Sequence, residues 1–187
     1  HVLHLARHDL IGLAVALALA TGASLARADP LPLGEWGEFS FGEVGDIARG
    51  CDPADPSGAF CIPSSGTPTV FLGEPAWTFT SAGTAVVAVV DAFESGDRFE
   101  VFDFGVSLGT TSAPAAGVAV DCGDDPVVCL GTAGMSTGTF TLAAGAHSLL
   151  IRVVEGRGGG GSGYLRVGAR TLPEPGSLAL VALGLVA

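Results

Sequence analysis

The sequence predicts an all-β fold, an antiparallel β-sandwich of the jelly-roll kind, with one helix expected at each end of the chain. Three observations support this class: short runs alternate apolar and polar residues, Gly, Pro and Asp separate the runs, and one run is continuously β-branched. The 187 residues include 29 glycines without a Gly-X-Y period, which excludes a collagen-like structure. We expect an N-terminal helix in residues 1–28, one sandwich domain in residues 29–171 and an apolar helix in residues 172–187.

Residues 1–28 have the pattern of a secretory signal peptide. An apolar core from Leu10 to Ala20 follows an arginine and several histidines, and this core is too short to span a bilayer. Ala26 and Ala28 occupy the small-residue positions of a cleavage site, so we expect cleavage after Ala28. The alternative for this segment is a buried core helix.

Three predicted strand regions fill the first half of the mature chain. Residues 34–47 contain the alternating Phe39 and Phe41, and residues 69–81 give two strands broken at Glu74 and Pro75. Residues 84–93 form the continuous β-branched run. Such a run is expected for a central strand that is buried on both faces.

The second half continues with turns at regular intervals. Residues 98–103 alternate, with Phe99 and Val101 on one side, and they turn at 104–105 into the next strand. Residues 113–136 are predicted to be a loop. Residues 137–156 form a hairpin, and a last strand comes after a glycine-rich loop, which makes about nine strands in total.

Four cysteines lie beyond the expected cleavage point, and four cysteines allow three pairings. We expect Cys51 to pair with Cys61 and Cys122 with Cys129, because each pair flanks a turn rich in Pro, Asp and Gly. Neither spacing is CxxC, which argues against a zinc or redox site. Disulfides are typical of an oxidising compartment, in agreement with export.

The charge balance argues against nucleic-acid binding. The chain has a net charge of −11 and contains no Lys, Asn or Gln. An acidic surface repels phosphate backbones, so no nucleic-acid partner is expected.

Two groups of acidic residues are weak candidates for calcium ligation, and no other cofactor is expected. Asp121, Asp124 and Asp125 lie within or beside the second cysteine loop, and a second group surrounds the turn at residues 91–97. Calcium binds six to eight oxygens, several of them from carboxylates. Neither group has EF-hand spacing, and solvated turn residues are the simpler interpretation.

Motifs that resemble catalytic ones lack their partners. The sequence GMSTG at residues 134–138 matches the G-x-S-x-G pattern, but it leads into a predicted strand, and His147 is the one histidine beyond residue 28. The DFG at residues 103–105 has no lysine to accompany it. Paired carboxylates of a glycosidase cannot be assigned to one cleft from sequence. We therefore expect a protein that is not an enzyme.

The tail LPEPGSLALVALGLVA, residues 172–187, combines Pro173, Glu174 and Pro175 with an apolar run. The prolines separate the β domain from the apolar run, because proline interrupts both ladders and helices. Ten apolar residues reach about 15 Å as a helix, which is about half of a bilayer core.

This tail resembles the start of a PEP-CTERM sorting signal, and residues 89–112 and 140–153 also resemble members of that family. The resemblance implies a protein of a Gram-negative bacterium, exported through the inner membrane and processed by an exosortase, a membrane protease. It implies transient anchorage through the C-terminal helix and a place at the cell surface or in the extracellular polysaccharide matrix of a biofilm. The family's Arg-rich end is absent here, so the signal is expected to be incomplete.

The first functional hypothesis is therefore a non-catalytic surface or matrix protein. The alternative is a secreted carbohydrate-binding module, assisted by calcium, for which Trp36, Trp77 and Tyr164 are the candidate aromatic residues. Trp77 is expected in the core. A secreted hydrolase with paired carboxylates ranks below both.

Overall fold

The computed structural model describes residues 29–51 and 61–169. The cleavage residues Ala26 and Ala28, the motif Pro173, Glu174 and Pro175, and both terminal helices lie outside the described residues. Within the described ranges, no helix combines the length and the apolar character that crossing a bilayer requires.

The described chain forms ten strands and one short helix. Their bounds are β1 Asp29–Pro30, β2 Trp36–Phe41, β3 Thr69–Phe71, β4 Trp77–Ser81, β5 Ala85–Asp91, β6 Arg98–Asp103, β7 Val106–Thr110, α1 Pro126–Gly131, β8 Thr137–Leu142, β9 Gly145–Glu155 and β10 Gly161–Ala169.

The strands form two five-stranded sheets packed face to face. Sheet A has the order β1-β4-β9-β6-β7, and sheet B has the order β3-β2-β10-β5-β8. Without the short strands β1 and β3, these are the strand orders of a jelly roll. The expectation of wholly antiparallel sheets was wrong, because β1 pairs with β4 and β3 pairs with β2 in parallel. Both parallel strands lie at sheet edges and have only two and three residues, too few for a periodic signal.

The main core lies between the two sheets and is rich in aromatic residues. Phe39 of sheet B meets Phe99 of sheet A edge to face, with 5.5 Å between ring centroids, and Trp77 lies 5.9 Å from Phe39. Phe99 and Val101 are both fully buried, which confirms the alternation predicted for β6.

Strand β5 is buried on both faces, as its continuous β-branched run predicted. Val87 and Val89 point into the core between the sheets, whereas Val90 belongs to a second apolar cluster on the other side of sheet B. Sheet B is therefore covered on both faces.

Residues 113–136 are not entirely a loop, because they contain helix α1. The Asp125 side chain caps this helix by accepting hydrogen bonds from Val127 N at 2.8 Å and Val128 N at 3.3 Å, and Pro126 opens its first turn. A helix of six residues is too short to show the 3.6-residue apolar repeat, which is why the prediction missed it.

Both disulfides have the predicted local pairing. Cys51 pairs with Cys61 and Cys122 with Cys129, with Cα–Cα distances of 5.6 and 4.9 Å. The second disulfide joins α1 to the residues before it and is part of the apolar cluster on the outer side of sheet B.

Candidate binding groove

The outer face of sheet B carries a second apolar cluster, which the cysteine-containing segments cover. Trp36, Val90 and Tyr164 of the sheet pack there against Met135 and the Cys122–Cys129 disulfide. The Tyr164 hydroxyl donates a hydrogen bond of 2.7 Å to the Asp124 backbone carbonyl, which ties the covering segment to the sheet. Burial, with the nearby carboxylates of Glu38, Asp124 and Asp125, raises the pKa of the Tyr164 hydroxyl.

Two of the three acidic residues proposed as calcium ligands hold the two cysteine-containing segments together. Asp124 accepts hydrogen bonds from Ser65 Oγ at 2.6 Å and from Ser65 N at 3.2 Å. Asp125 Oδ2 accepts one from Thr67 N at 2.8 Å, and this bond makes the largest contribution to lowering the pKa of Asp125. Asp121 instead accepts from Gly123 N within its own turn.

These three acidic side chains do not converge on one point. In the part of the chain that the structure describes, one group of three metal-ligating residue types has ligand atoms within 4.8 Å of one another, namely Glu38, Cys51 and Cys61. Its two sulfur atoms are joined in a disulfide and are therefore not available as thiolate ligands. Calcium ligation by Asp121, Asp124 and Asp125 stays a prediction.

The second acidic group is organised around Asp91 at the end of β5. This side chain is fully buried and accepts hydrogen bonds of 3.1 Å from each of the backbone N–H groups of Ala92, Gly96 and Asp97. Burial raises the pKa of Asp91 to about 8, with a further contribution from the Asp97 carboxylate, whereas the three N–H donors oppose the rise. Asp91 therefore shapes the turn at residues 92–97.

Glu38 is a fully buried acid on the outer face of β2. Its Oε1 accepts one hydrogen bond, from Ile62 N at 3.2 Å, and its Oε2 has no partner among the described residues. Burial raises the pKa of Glu38 to about 7, the bond from Ile62 opposes the rise, and the Asp124 carboxylate adds to it. A carboxyl group in such a place favours its neutral form.

A groove of about 450 Å³ lies beside this cluster, where β2, β10, β3 and α1 meet. We call it the Trp36 groove. It is lined by residues 34–36 and 67–70, Val127 and Arg166.

Trp36 and Arg166 form one wall of the Trp36 groove. The guanidinium carbon of Arg166 lies 5.9 Å from the centre of the Trp36 ring, and Arg166 Nε donates a hydrogen bond of 2.9 Å to Gly34 O. Trp36 is 4% exposed, and its indole Nε1 has no hydrogen-bond partner among the described residues. Val70 and Val127 add exposed apolar surface, so the groove combines apolar contacts with a few polar groups, as ligand sites do.

The aromatic residues suggested as a sugar platform are all buried. Trp77 lies in the main core, as expected, and its Nε1 donates a hydrogen bond to Gly73 O at 2.7 Å. Tyr164 is also fully buried. Of the three, Trp36 lines the groove. The guanidinium group of Arg166 lies over its ring, so the ring is not an exposed flat surface.

Comparisons with known proteins add little to this geometry. No protein-family model matches the sequence, and no curated protein matches it. One similar solved structure is a carbohydrate-binding module, the C-terminal CBM6 of LamC, a marine laminarinase from Zobellia galactanivorans. It shares 15% identity with this chain at a TM-score of 0.33, and the alignment covers 71% of this chain and 98% of that one. At a TM-score this low, the likeness gives no information about function.

The residues of the G-x-S-x-G pattern do not form a serine triad. Ser136 is fully buried, lies 2.6 Å from the Thr111 hydroxyl and donates to Ser112 O at 2.7 Å. His147 lies in sheet A, with Nδ1 2.8 Å from Asp103 Oδ2 and Nε2 3.0 Å from Ala143 O. Both ring nitrogens of His147 face oxygen acceptors. The histidine and the serine therefore form hydrogen bonds with separate parts of the fold and not with each other.

Proposed function

We propose that this chain is an exported, non-catalytic β-sandwich protein that binds polysaccharide at the cell surface or in an extracellular matrix. The Trp36 groove carries the proposal. Two disulfides in a chain of this size support an oxidising, extracellular environment.

The chemistry of the groove suits a sugar chain. The guanidinium of Arg166 offers N–H donors that match paired hydroxyl oxygens, and Glu35 and Thr67 offer acceptors for hydroxyl hydrogens. Val70 and Val127 supply apolar surface for the C–H faces of a sugar ring. The charges of Arg166 and Glu35 offset each other, so the groove favours a ligand with little net charge.

The experiment is isothermal titration of the disulfide-bonded protein with a panel of neutral and acidic polysaccharides, with and without calcium. Arg166→Met removes the donors but keeps an apolar stem. Since hydrogen bonds to charged groups contribute about 1.5–3 kcal/mol, we expect it to weaken binding by at least about tenfold.

Arg152→Met is the matched control. Arg152 also lies over an aromatic ring, 5.1 Å from the centre of Phe102, but it is an exposed residue of sheet A that pairs with the Glu100 carboxylate. Unchanged binding in this variant, with loss in Arg166→Met, supports the proposal. Equal losses in both variants, or no binding to any polysaccharide of the panel, would overturn it.

The sorting step is the second part of the proposal, supported by the resemblance of residues 172–187 to a PEP-CTERM signal. In a Gram-negative host with an exosortase, replacing Pro173, Glu174 and Pro175 by alanine is expected to leave the protein unprocessed in the membrane fraction. Processing and location identical to those of the parent chain would refute this step.

A further inference from the structure

Residues 61–68 run across the outer side of sheet B and are held between two fixed ends. The disulfide at Cys61 fixes one end, and β3 begins directly after the other. Between the ends, the backbone N–H groups of Ile62, Ser65 and Thr67 donate hydrogen bonds to carboxylates. The acceptors are Glu38, Asp124 and Asp125 respectively.

Polar bonds, not apolar packing, hold this segment in place. None of the side chains of residues 62–68 belongs to either apolar cluster, and Ile62 itself is 41% exposed. A segment of this kind is the part of a fold that opens at least cost. Its position therefore depends on the charge states of the three carboxyl groups that hold it.

Glu38 is the acceptor whose charged form is disfavoured by burial. It is fully buried, it accepts one N–H bond, and its second oxygen has no partner among the described residues. The titratable groups that act on it are the Asp124 carboxylate, from the covering segment, and the Tyr164 hydroxyl, from β10. Ser162 of β10 and the Cys51–Cys61 disulfide also lie beside the Glu38 carboxyl group, and neither carries a charge.

We propose that residues 61–68 form a latch, closed while Glu38 is protonated and released when Glu38 ionises. Ile62 N of this segment contacts the Glu38 carboxyl group, so displacement of the segment exposes that group to water. Burial disfavours the charged form by more than the Ile62 bond favours it, so ionisation favours displacement. Because burial raises the pKa of Glu38 to about 7, the change occurs near neutral pH. At acidic pH, the latch stays closed as long as Asp125 is ionised and accepts the hydrogen bond from Thr67. That bond lowers the pKa of Asp125, so Asp125 stays ionised well into the acidic range.

The latch also forms part of the Trp36 groove, because Thr67 and Pro68 line it. This last step rests on the proposed function: the groove holds polysaccharide at mildly acidic pH and loses affinity as the latch opens in alkaline solution. Opening of the latch itself requires no ligand, so the two claims can be tested separately.

Hydrogen–deuterium exchange of the protein alone tests the latch. After correction for the intrinsic effect of pH, protection of the Ile62, Ser65 and Thr67 amides is expected to fall at least about tenfold between about pH 6 and about pH 8.5. The amides of β9 serve as an internal reference and are expected to stay protected. No differential loss in residues 61–68 would overturn the latch.

Two variants identify Glu38 as the titrating group. Glu38→Gln keeps an acceptor for Ile62 N without a charge, so its protection is expected not to change with pH. Asp121→Asn removes a nearby charge that does not contact the latch, and it is expected to respond as the parent chain does. A parental response in Glu38→Gln overturns the proposal.

If Glu38→Gln does not fold, the carbon-13 resonance of the Glu38 carboxyl group in the parent chain gives the answer. A midpoint near neutral pH supports the latch, and a midpoint below about pH 5 overturns it. Titration with a bound polysaccharide at both pH values then tests the coupling. Opening without any loss of affinity overturns the coupling, whereas opening in a protein that binds no polysaccharide overturns only the proposed function.

Discussion

Raising the pH from about 5 to about 9 is expected to destabilise the folded protein, because two buried carboxyl groups must then ionise. The fold raises the pKa of Glu38 from 4.5 to about 7 and that of Asp91 from 3.8 to about 8, and both side chains are fully buried. The stability from such a group is fully present below its unfolded pKa and is lost as the pH rises through its folded pKa. At about 1.4 kcal/mol per pH unit, the largest loss above pH 5 is about 3 kcal/mol for Glu38, complete near pH 7, and about 4 kcal/mol for Asp91, complete near pH 8.

Urea unfolding followed by circular dichroism, with the disulfides intact, measures this effect at several pH values. A loss of several kcal/mol is a large part of the roughly 5–15 kcal/mol by which folded proteins are typically stable. Glu38→Gln and Asp91→Asn are each expected to flatten their own part of the pH dependence. Repulsion among surface charges also grows with pH in a chain of net charge −11. Salt screens this surface repulsion, but it screens the interactions of the buried groups much less.

A free energy of unfolding that stays constant or increases between about pH 6 and about pH 9 would refute the reasoning. It would mean that both carboxyl groups are already ionised in the folded protein. For Asp91, the three backbone N–H donors would then outweigh burial.

Three further substitutions test separate parts of the fold by the same unfolding measurement. Phe99→Ala removes a fully buried ring between the two sheets and is expected to cost about 3–5 kcal/mol, so a cost below about 1 kcal/mol would contradict the packing of this core. Tyr164→Phe removes the hydrogen bond to Asp124 O and is expected to cost about 1–2 kcal/mol; an unchanged stability would mean that this bond does not hold the covering segment. Phe104→Gly is expected to stabilise the chain by up to about 1 kcal/mol, because Phe104 is 65% exposed and has a φ of 47°, which glycine adopts without strain. A loss of stability would show that the Phe104 ring makes stabilising contacts.

The strands that the sequence predicts well are those with local signals. The β-branched run of β5 and the alternation of β6 both correspond to strands of the structure, and residues 137–156 contain two strands, β8 and β9. The predicted hairpin was wrong, because β8 lies in sheet B and β9 in sheet A, so these two strands do not pair with each other. Turn residues separate these runs, so the pattern alone determines their limits within a few residues. Strand β1 carries no such signal, because it pairs over two residues only.

The candidate site was much harder to predict, because its residues come from distant parts of the chain. Arg166 donates to Gly34, 132 residues away, and no local pattern connects the two. The alternation in β2 places Glu38 opposite Phe39, on a face that is exposed in most antiparallel sheets. Its burial results from the segments that cover sheet B, which periodicity does not reveal.

The acidic residues show the same limit in another form. Clustering in sequence suggested that Asp121, Asp124 and Asp125 share a ligand. In the structure Asp121 accepts a hydrogen bond within its own turn, whereas Asp124 and Asp125 accept hydrogen bonds from residues 65 and 67 of the other cysteine-containing segment. Which donors face a carboxylate depends on how two separate loops meet, and this information is not present in either loop alone.

Strand β10 has a mechanical consequence for any load applied through the C-terminal side of the domain. It lies in the middle of sheet B, antiparallel to both neighbours, and pairs over six residues with β2 and over seven with β5. A pull along this strand loads its hydrogen bonds in shear, so that they resist together instead of opening one after another. Traction on residues beyond Ala169 would therefore meet one of the most strongly connected strands of the sandwich.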